Sequence, residues 1–267
     1  MGRISGRHGY EPSQCLGDSA SPFDIPAGPG FHRPGDGVPG TAAGGAGLRG
    51  KGIGLTVSFS DDIAPGLRRS GRRIGLLGGS FNPAHGAHRQ ISLAALGRLG
   101  LDEVWWLVSP QNPLKPEAGM APFATRLAEA RKVARHPRIK ATGIEARLGT
   151  RYTADTILAL GRRFPSLNFV WLMGADNLIQ IDQWQDWQRI FNAVPVAVFA
   201  RPTYCFRALA AKAARRFARA RLPECQGRSL AKHPPPAWVF VHGRLNPLSA
   251  SAIRAARKRD GAGAKEP

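Results

Sequence analysis

The run Gly78-Gly79-Ser80-Phe81-Asn82-Pro83-Ala84-His85-Gly86-Ala87-His88 gathers the residue types best suited to chemistry in this 267-residue chain. His85 and His88 are three apart, so on a helix they share one face of a single turn. The glycines ahead of them let backbone N–H groups approach a ligand closely. A helix starting here would add a partial positive charge and unpaired donors, a ready site for phosphate. Two imidazoles aimed where a helix already attracts phosphate point to chemistry on a phosphate. The plainer reading is a structural turn with two surface histidines. The conjunction of Ser80, Asn82-Pro83 and both histidines speaks against it.

The elements that would position these residues can be read on either side. Arg73-Ile74-Gly75-Leu76-Leu77 is short, apolar and bounded by glycine, which predicts a buried strand over 73–77. After the histidines, Ile91, Leu93, Ala94, Leu96 and Leu99 recur at near-helical spacing. The run is therefore a strand, a glycine-rich turn and a helix whose first turn holds both histidines.

Further strands are predicted over 103–108, 138–145, 168–173, 195–200 and 238–242, and helices over 122–134 and from Thr153 to about Arg163, with Thr153 as cap. Residues 205–232 carry eight Lys or Arg against the single Glu224 and read as a solvated helix followed by a loop. This alternation predicts the α/β class, a doubly wound parallel sheet, with the first turn near the switch point where nucleotides bind.

Several other residues read in two ways. Lys115 lies in a proline-broken loop leaving a strand's carboxyl end, and is either a solvated lysine or a phosphate contact. Tyr152 and Thr153 read as a core aromatic and a plain cap. Asp176 follows Gly174 at the end of the fourth strand, where it could bind a ribose hydroxyl or cap the next helix. Trp184 and Trp187, at spacing three, fit a core. Ser249 and Ser251 precede a helical pattern, and Arg254 lies near its start. An arginine at a positive helix end is electrostatically unhelpful unless an anion sits there.

Composition bounds the rest. The net charge is +20. Residues 1–70 hold 7 Lys or Arg and 6 Asp or Glu, so the remaining 31 basic and 12 acidic residues carry +19. Such a domain suits ATP, mononucleotides or nucleic acid equally well. Residues 1–70 are rich in glycine and proline and are expected to be a disordered extension, leaving 71–267 as the catalytic domain. Cys15, Cys205 and Cys225 form neither a metal-ligand pattern nor a disulfide framework, so the expected compartment is a reducing cytoplasm. No apolar run is long enough to span a bilayer, so no membrane partner is expected.

The 78–88 run resembles the G-[ST]-F-[DN]-P-x-H-x-G-H signature of the nucleotidylyltransferase superfamily, and within it the bacterial nicotinate-nucleotide adenylyltransferases. Ala87 stands where that pattern has glycine. Leu248-Ser249-Ala250-Ser251-Ala252-Ile253-Arg254 resembles the second, serine-containing signature, with Leu248 replacing its isoleucine. The resemblance covers roughly residues 72–260.

It implies a Rossmann-like fold and adenylyl transfer from ATP to nicotinate mononucleotide, with Mg²⁺ accompanying ATP. It further implies catalytic roles for His85, His88 and Arg254. Gly78, Gly79, Ser80, Phe81, Lys115, Asp176, Arg201, Ser249 and Ser251 would hold ATP and its phosphates. Tyr152, Thr153 and Trp184 would hold the pyridine mononucleotide. No carboxylate cluster suggests a metal site built by the protein. The alternatives are another adenylyl or cytidylyl transfer, such as to phosphopantetheine, or a basic RNA-binding protein. The latter lacks any recognisable RNA-binding motif, so no nucleic acid is expected.

Overall fold

Seven strands form one sheet in the order β3-β2-β1-β4-β5-β7-β6, and every pairing is parallel. This computed structural model describes residues 70–110, 119–243, 250 and 253–255. The expected N-terminal extension lies outside them, apart from Ser70, as do Lys115, Ser249 and Ser251.

The chain lays down β1 (Arg73–Gly79), β2 (Glu103–Val108) and β3 (Ile139–Thr142) toward one edge. It then returns to place β4 (Asn168–Gly174) on the other side of β1, followed by β5 (Val196–Phe199), β6 (Arg221–Leu222) and β7 (Trp238–Val241). The order reverses between β1 and β4. Their carboxyl ends therefore flank the crevice where open parallel sheets take ligands.

The strands are apolar along their length because helices cover both faces. Adjacent residues of β2 enter opposite layers: Trp105 joins the core beneath one set of helices, Trp106 the other. On the Trp106 side lie α1 (Gly86–Arg98) and α2 (Phe123–Ala134), which bury Ala95, Leu96, Ala130 and Ala134. On the Trp105 side lie α4 (Thr153–Arg163), α5 (Ala175–Gln180) and α6 (Trp187–Ala193), and they bury Ile157, Leu160, Leu178, Ile190 and Phe191.

Three expectations are corrected. The strand expected over 138–145 ends at Thr142, and α3 (Ile144–Leu148) follows a turn at Gly143. Glu145 in its first turn suits a positive helix end, and Gly149, at φ 64°, stops it in the left-handed conformation. Residues 205–232 are not a solvated helix and loop. They form α7 (Cys205–Leu209), α8 (Lys212–Arg216), the short β6 and a 3₁₀ run over Glu224–Lys232. Ala208, Ala213, Ala214, Phe217 and Leu230 from this stretch are buried, so its apolar residues join the core while its arginines stay outside. Thr153 does not cap α4: Tyr152 holds that position, with no side-chain capping bond, and Thr153 is the first helical residue. Among the described residues, no helix is long and apolar enough to cross a membrane.

Candidate active site

Gly78 lies inside β1 because Trp171 of β4 packs across it: a Cβ there would sit 2.4 Å from the indole Cη2. Beyond Gly79 the chain turns through Phe81, whose φ of 46° is uncommon for a residue with a side chain. Phe81 is held there by a stack on Trp106, with centroids 5.1 Å apart and planes 13° apart. The indole N–H of Trp106 donates to Ser92 Oγ at 2.7 Å, and Ser92 Oγ donates to the His88 carbonyl at 2.9 Å. One buried tryptophan of β2 therefore supports both the turn and the first turns of α1.

His85 is the N-cap of α1 and His88 lies three residues on, as the spacing predicted. Their ring centroids are 3.9 Å apart. The His85 backbone N–H donates to His88 Nδ1 at 3.2 Å. The His88 N–H donates to the His85 carbonyl at 3.0 Å. His85 is only 6% exposed, and its Nδ1 is buried without a hydrogen-bond partner. Burial pulls its pKa down to about 4, helped by the Arg201 charge and opposed by Asp176, so the ring is neutral near pH 7.

Asp176 lies in the first turn of α5 and does not cap it; Gly174 does. Its Oδ1 faces Arg201 Nε, from the turn after β5, at 3.3 Å. Gly174 lets this pair fold over the end of β4, because a Cβ there would lie 2.3 Å from Asp176 Oδ1. Arg254 donates to the Asn82 carbonyl at 2.5 Å, which brings this arginine of the second signature onto the first across 172 positions of sequence. Asn82 in turn donates to the Gly119 carbonyl at 3.1 Å and accepts from the Ala121 N–H at 3.3 Å.

His85, His88, Ser80, Phe81, Asp176, Arg201 and Arg254 thus converge at the carboxyl ends of β1, β4 and β5. Cavities open on the two sides of the α1 N-terminus. One, of about 420 Å³, is lined by Phe81, Asn82, Arg126 and Arg254. The other, of about 400 Å³, is lined by Ala87, Gln90, Ile91, Phe199, Arg201 and Val241. The larger groove of about 840 Å³ runs along α2 and β3 and holds none of the expected site residues.

The pyridine-side candidates reach this region by separate routes. Trp184 packs edge-on against Trp171, 6.4 Å between centroids and 85° between planes, and so stands behind Gly78. Tyr152 is 37% exposed at the start of α4. Thr156 anchors that start by donating to the Tyr152 carbonyl at 3.2 Å and bonding Thr150 Oγ1 at 2.8 Å.

Two residues escaped the sequence reading. Arg126 falls on the apolar stripe of α2 with Phe123, Leu127 and Ala130, and a cation on a core-facing stripe was its signal. Glu145 had no local signal. It is 8% exposed and bonded to Ser109 and Thr156, and burial pushes its pKa up to about 7 against those bonds.

The cytidylyltransferase-like family model matches residues 76–256. A protein of Cereibacter sphaeroides named "Probable nicotinate-nucleotide adenylyltransferase" is 54% identical over 182 residues, 68% of this chain and 96% of its own length. One of the same name from Bradyrhizobium sp. strain BTAi1 is 58% identical over 182 residues, 68% of this chain and 95% of its own. Among solved structures, Plasmodium falciparum nicotinic acid mononucleotide adenylyltransferase complexed with NaAD matches at a TM-score of 0.53. That match covers 69% of this chain and 83% of that one at 15% identity, a likeness of fold. The paired histidines on a βα turn, the basic residues gathered round them and this extent of identity agree: the chain belongs to the nicotinate-nucleotide adenylyltransferases of the cytidylyltransferase-like family.

Proposed function

We propose that the chain joins ATP and nicotinate mononucleotide into nicotinate adenine dinucleotide, releasing pyrophosphate. The supporting observation is the pair of imidazoles 3.9 Å apart at the α1 N-terminus, one of them buried with an unpartnered ring nitrogen. A phosphate oxygen of the mononucleotide attacks the α-phosphorus of ATP in line. The bond from that phosphorus to the bridging β-oxygen breaks, and its electron pair leaves with pyrophosphate. No enzyme nucleophile takes part, so the chain contributes position and charge stabilisation.

In this reading His88 and neutral His85 donate N–H groups to the phosphate oxygens as charge builds at the α-phosphorus. The backbone N–H groups of Gly79, Ser80 and Phe81, after Gly78, complete the cradle. Arg254, with Ser249 and Ser251, holds the departing pyrophosphate, and Lys115 and Arg201 add charge. Asp176 accepts from a ribose hydroxyl. The cavity beside Ala87, Ile91, Phe199 and Val241 would take the adenine, with the Ala87 methyl as part of its wall. Tyr152, Thr153 and Trp184 receive the pyridine.

The family implies a metal ion with ATP, and Mg²⁺ is the ion we propose. Among the described residues no group of three or more His, Cys, Asp or Glu could hold it. Triphosphate oxygens and water would be its ligands. We propose that the chain serves NAD biosynthesis in the cytoplasm.

Pyrophosphate release from ATP with a panel of mononucleotides and with phosphopantetheine tests the proposal. Turnover with nicotinate mononucleotide is expected. Release only with phosphopantetheine, or only from CTP, would overturn it.

A further inference from the structure

Arg126 is 2% exposed, yet it makes no ion pair among the described residues. The guanidinium is spent on four backbone carbonyls. Nε donates to Ala121 at 2.9 Å, Nη1 to both Ser80 and Ser109 at 2.7 Å, and Nη2 to Pro110 at 2.7 Å. Glu129, the acid that shares its cavity, is bonded to Lys132 at 2.9 Å. Burial draws the guanidinium pKa below its ordinary value, and a guanidinium stays charged through such a shift.

The four acceptors are not scattered. Ser80 directly follows β1, Ser109 and Pro110 directly follow β2, and Ala121 directly precedes the α2 N-cap, Pro122. Among the described residues, the bond from the Ser109 N–H to the Gly79 carbonyl, at 3.0 Å, links the two strand ends directly. Past it the guanidinium fills the gap between the diverging chains. The fork geometry matters, because three donors on a flexible ammonium cannot span four carbonyls from three segments.

We propose that Arg126 is a positioning residue of the phosphate-transfer site, fixing the plane of the Ser80–Phe81 peptide so that the Phe81 N–H is presented to phosphate. A trans peptide is planar, with its C=O and N–H pointing opposite ways. Anchoring the Ser80 carbonyl on Arg126 therefore aims the Phe81 N–H away from α2. The same anchor holds Phe81 at φ 46°, a strained conformation that persists only where the surroundings fix it. Trp106 clamps the Phe81 ring from one side and Arg126 clamps the peptide ahead of it. This inference rests on the phosphate cradle proposed above.

The test compares Arg126→Ala and Arg126→Lys with wild type, each checked for folding by melting temperature. Arg126→Ala should lose kcat by about 10²-fold, the scale for one preorganised donor, with KM for ATP within a few-fold. Arg126→Lys keeps the charge and loses the fork, so it should fall nearly as far. Added methylguanidinium should restore at least tenfold to Arg126→Ala. With ¹⁵N-phenylalanine labelling, pyrophosphate should move the Phe81 amide resonance in wild type and leave it in place in Arg126→Ala.

Full kcat in Arg126→Lys would show that charge alone matters and overturn the proposal. So would a loss that follows the melting temperature without rescue, or a Phe81 amide indifferent to pyrophosphate in wild type. The amide readout uses no mononucleotide. An enzyme with a different acceptor would fail the acceptor panel and still pass this test.

Discussion

His88 and His85 are held in different roles by different neighbours. His88 Nδ1 accepts from the His85 backbone N–H, so a neutral His88 carries its proton on Nε2, and that edge becomes a donor. His85 is kept neutral by burial and by Arg201. Such donors act on charge that appears only in the transition state. Replacing His88 with alanine should therefore lower kcat by about 10²-fold or more, with a smaller effect on KM for ATP. Steady-state kinetics of the purified variant checks this, and a kcat within a few-fold of wild type would remove His88 from its role.

At the scale of elements, substrate choice in the proposed function turns on the start of α4. The N–H groups of its first turn have no intrahelical partner, and its dipole favours a carboxylate over a neutral amide by roughly 0.3–2 kcal/mol. Asp155 in the same turn works against that, but Arg189 of α6 lies 3.9 Å from it and offsets its charge. An amide would set its own NH₂ against those donors at a cost of about 1–3 kcal/mol. We expect at least a tenfold preference in kcat/KM for nicotinate over nicotinamide mononucleotide. Comparing both at saturating ATP decides it, and equal use would place the pyridine elsewhere.

Glu145 ties this same helix to the exit of β2 through Thr156 and Ser109. Its folded pKa of about 7 lies above its ordinary value of 4.5, so its contribution to stability is full below about pH 4.5 and is lost as pH rises through 7. The total loss is up to roughly 3 kcal/mol. His85 acts oppositely: its folded pKa of about 4 lies below 6.5, so stability falls as pH drops from 6.5 toward 4. The two offset each other between about pH 4.5 and 6.5. Glu145→Gln removes one slope. Urea unfolding of wild type and variant should show the wild type's relative advantage shrinking from pH 4.5 to 7. A constant difference would mean that Glu145 does not change its protonation on unfolding.

At the scale of the molecule, residues 71–267 carry +19, a balance that suits anionic ligands. Arg201 and Arg254 stand at the converging strand ends, and the fold gives them an electrostatic field that draws in nucleotides. The curated relatives match 182 residues of this chain, and the family model spans 76–256. The glycine- and proline-rich composition of residues 1–67 predicts little apolar surface with which to dock. Deleting them should leave turnover unchanged and the melting temperature within about 2 °C, less than the shift expected for 1 kcal/mol. A larger loss of either would show that the segment belongs to the working enzyme.

The sequence by itself determined what neighbouring residues decide together. The apolar runs of β2 and β4, the histidine spacing at the start of α1 and the glycines at the ends of β1 and β4 are all local patterns. Their periods and breaks survive as elements because each element buries its own stripe. The tertiary structure decided what depends on residues far apart in the chain. Gly78 is small because Trp171 lies across it. Arg126 is buried because the carbonyls of residues 80, 109 and 110, up to 46 positions away, converge on it. Glu145 has its pKa raised by a burial that no stretch of its own neighbours reveals. The arginine-rich stretch after β5 read as solvated because its charges are visible in sequence, while the core that takes up Ala213, Ala214 and Phe217 is assembled by β4, α5 and α6. Desolvation and hydrogen-bond satisfaction are set by whichever segments meet, and that meeting is settled only when the sheet and its helices assemble.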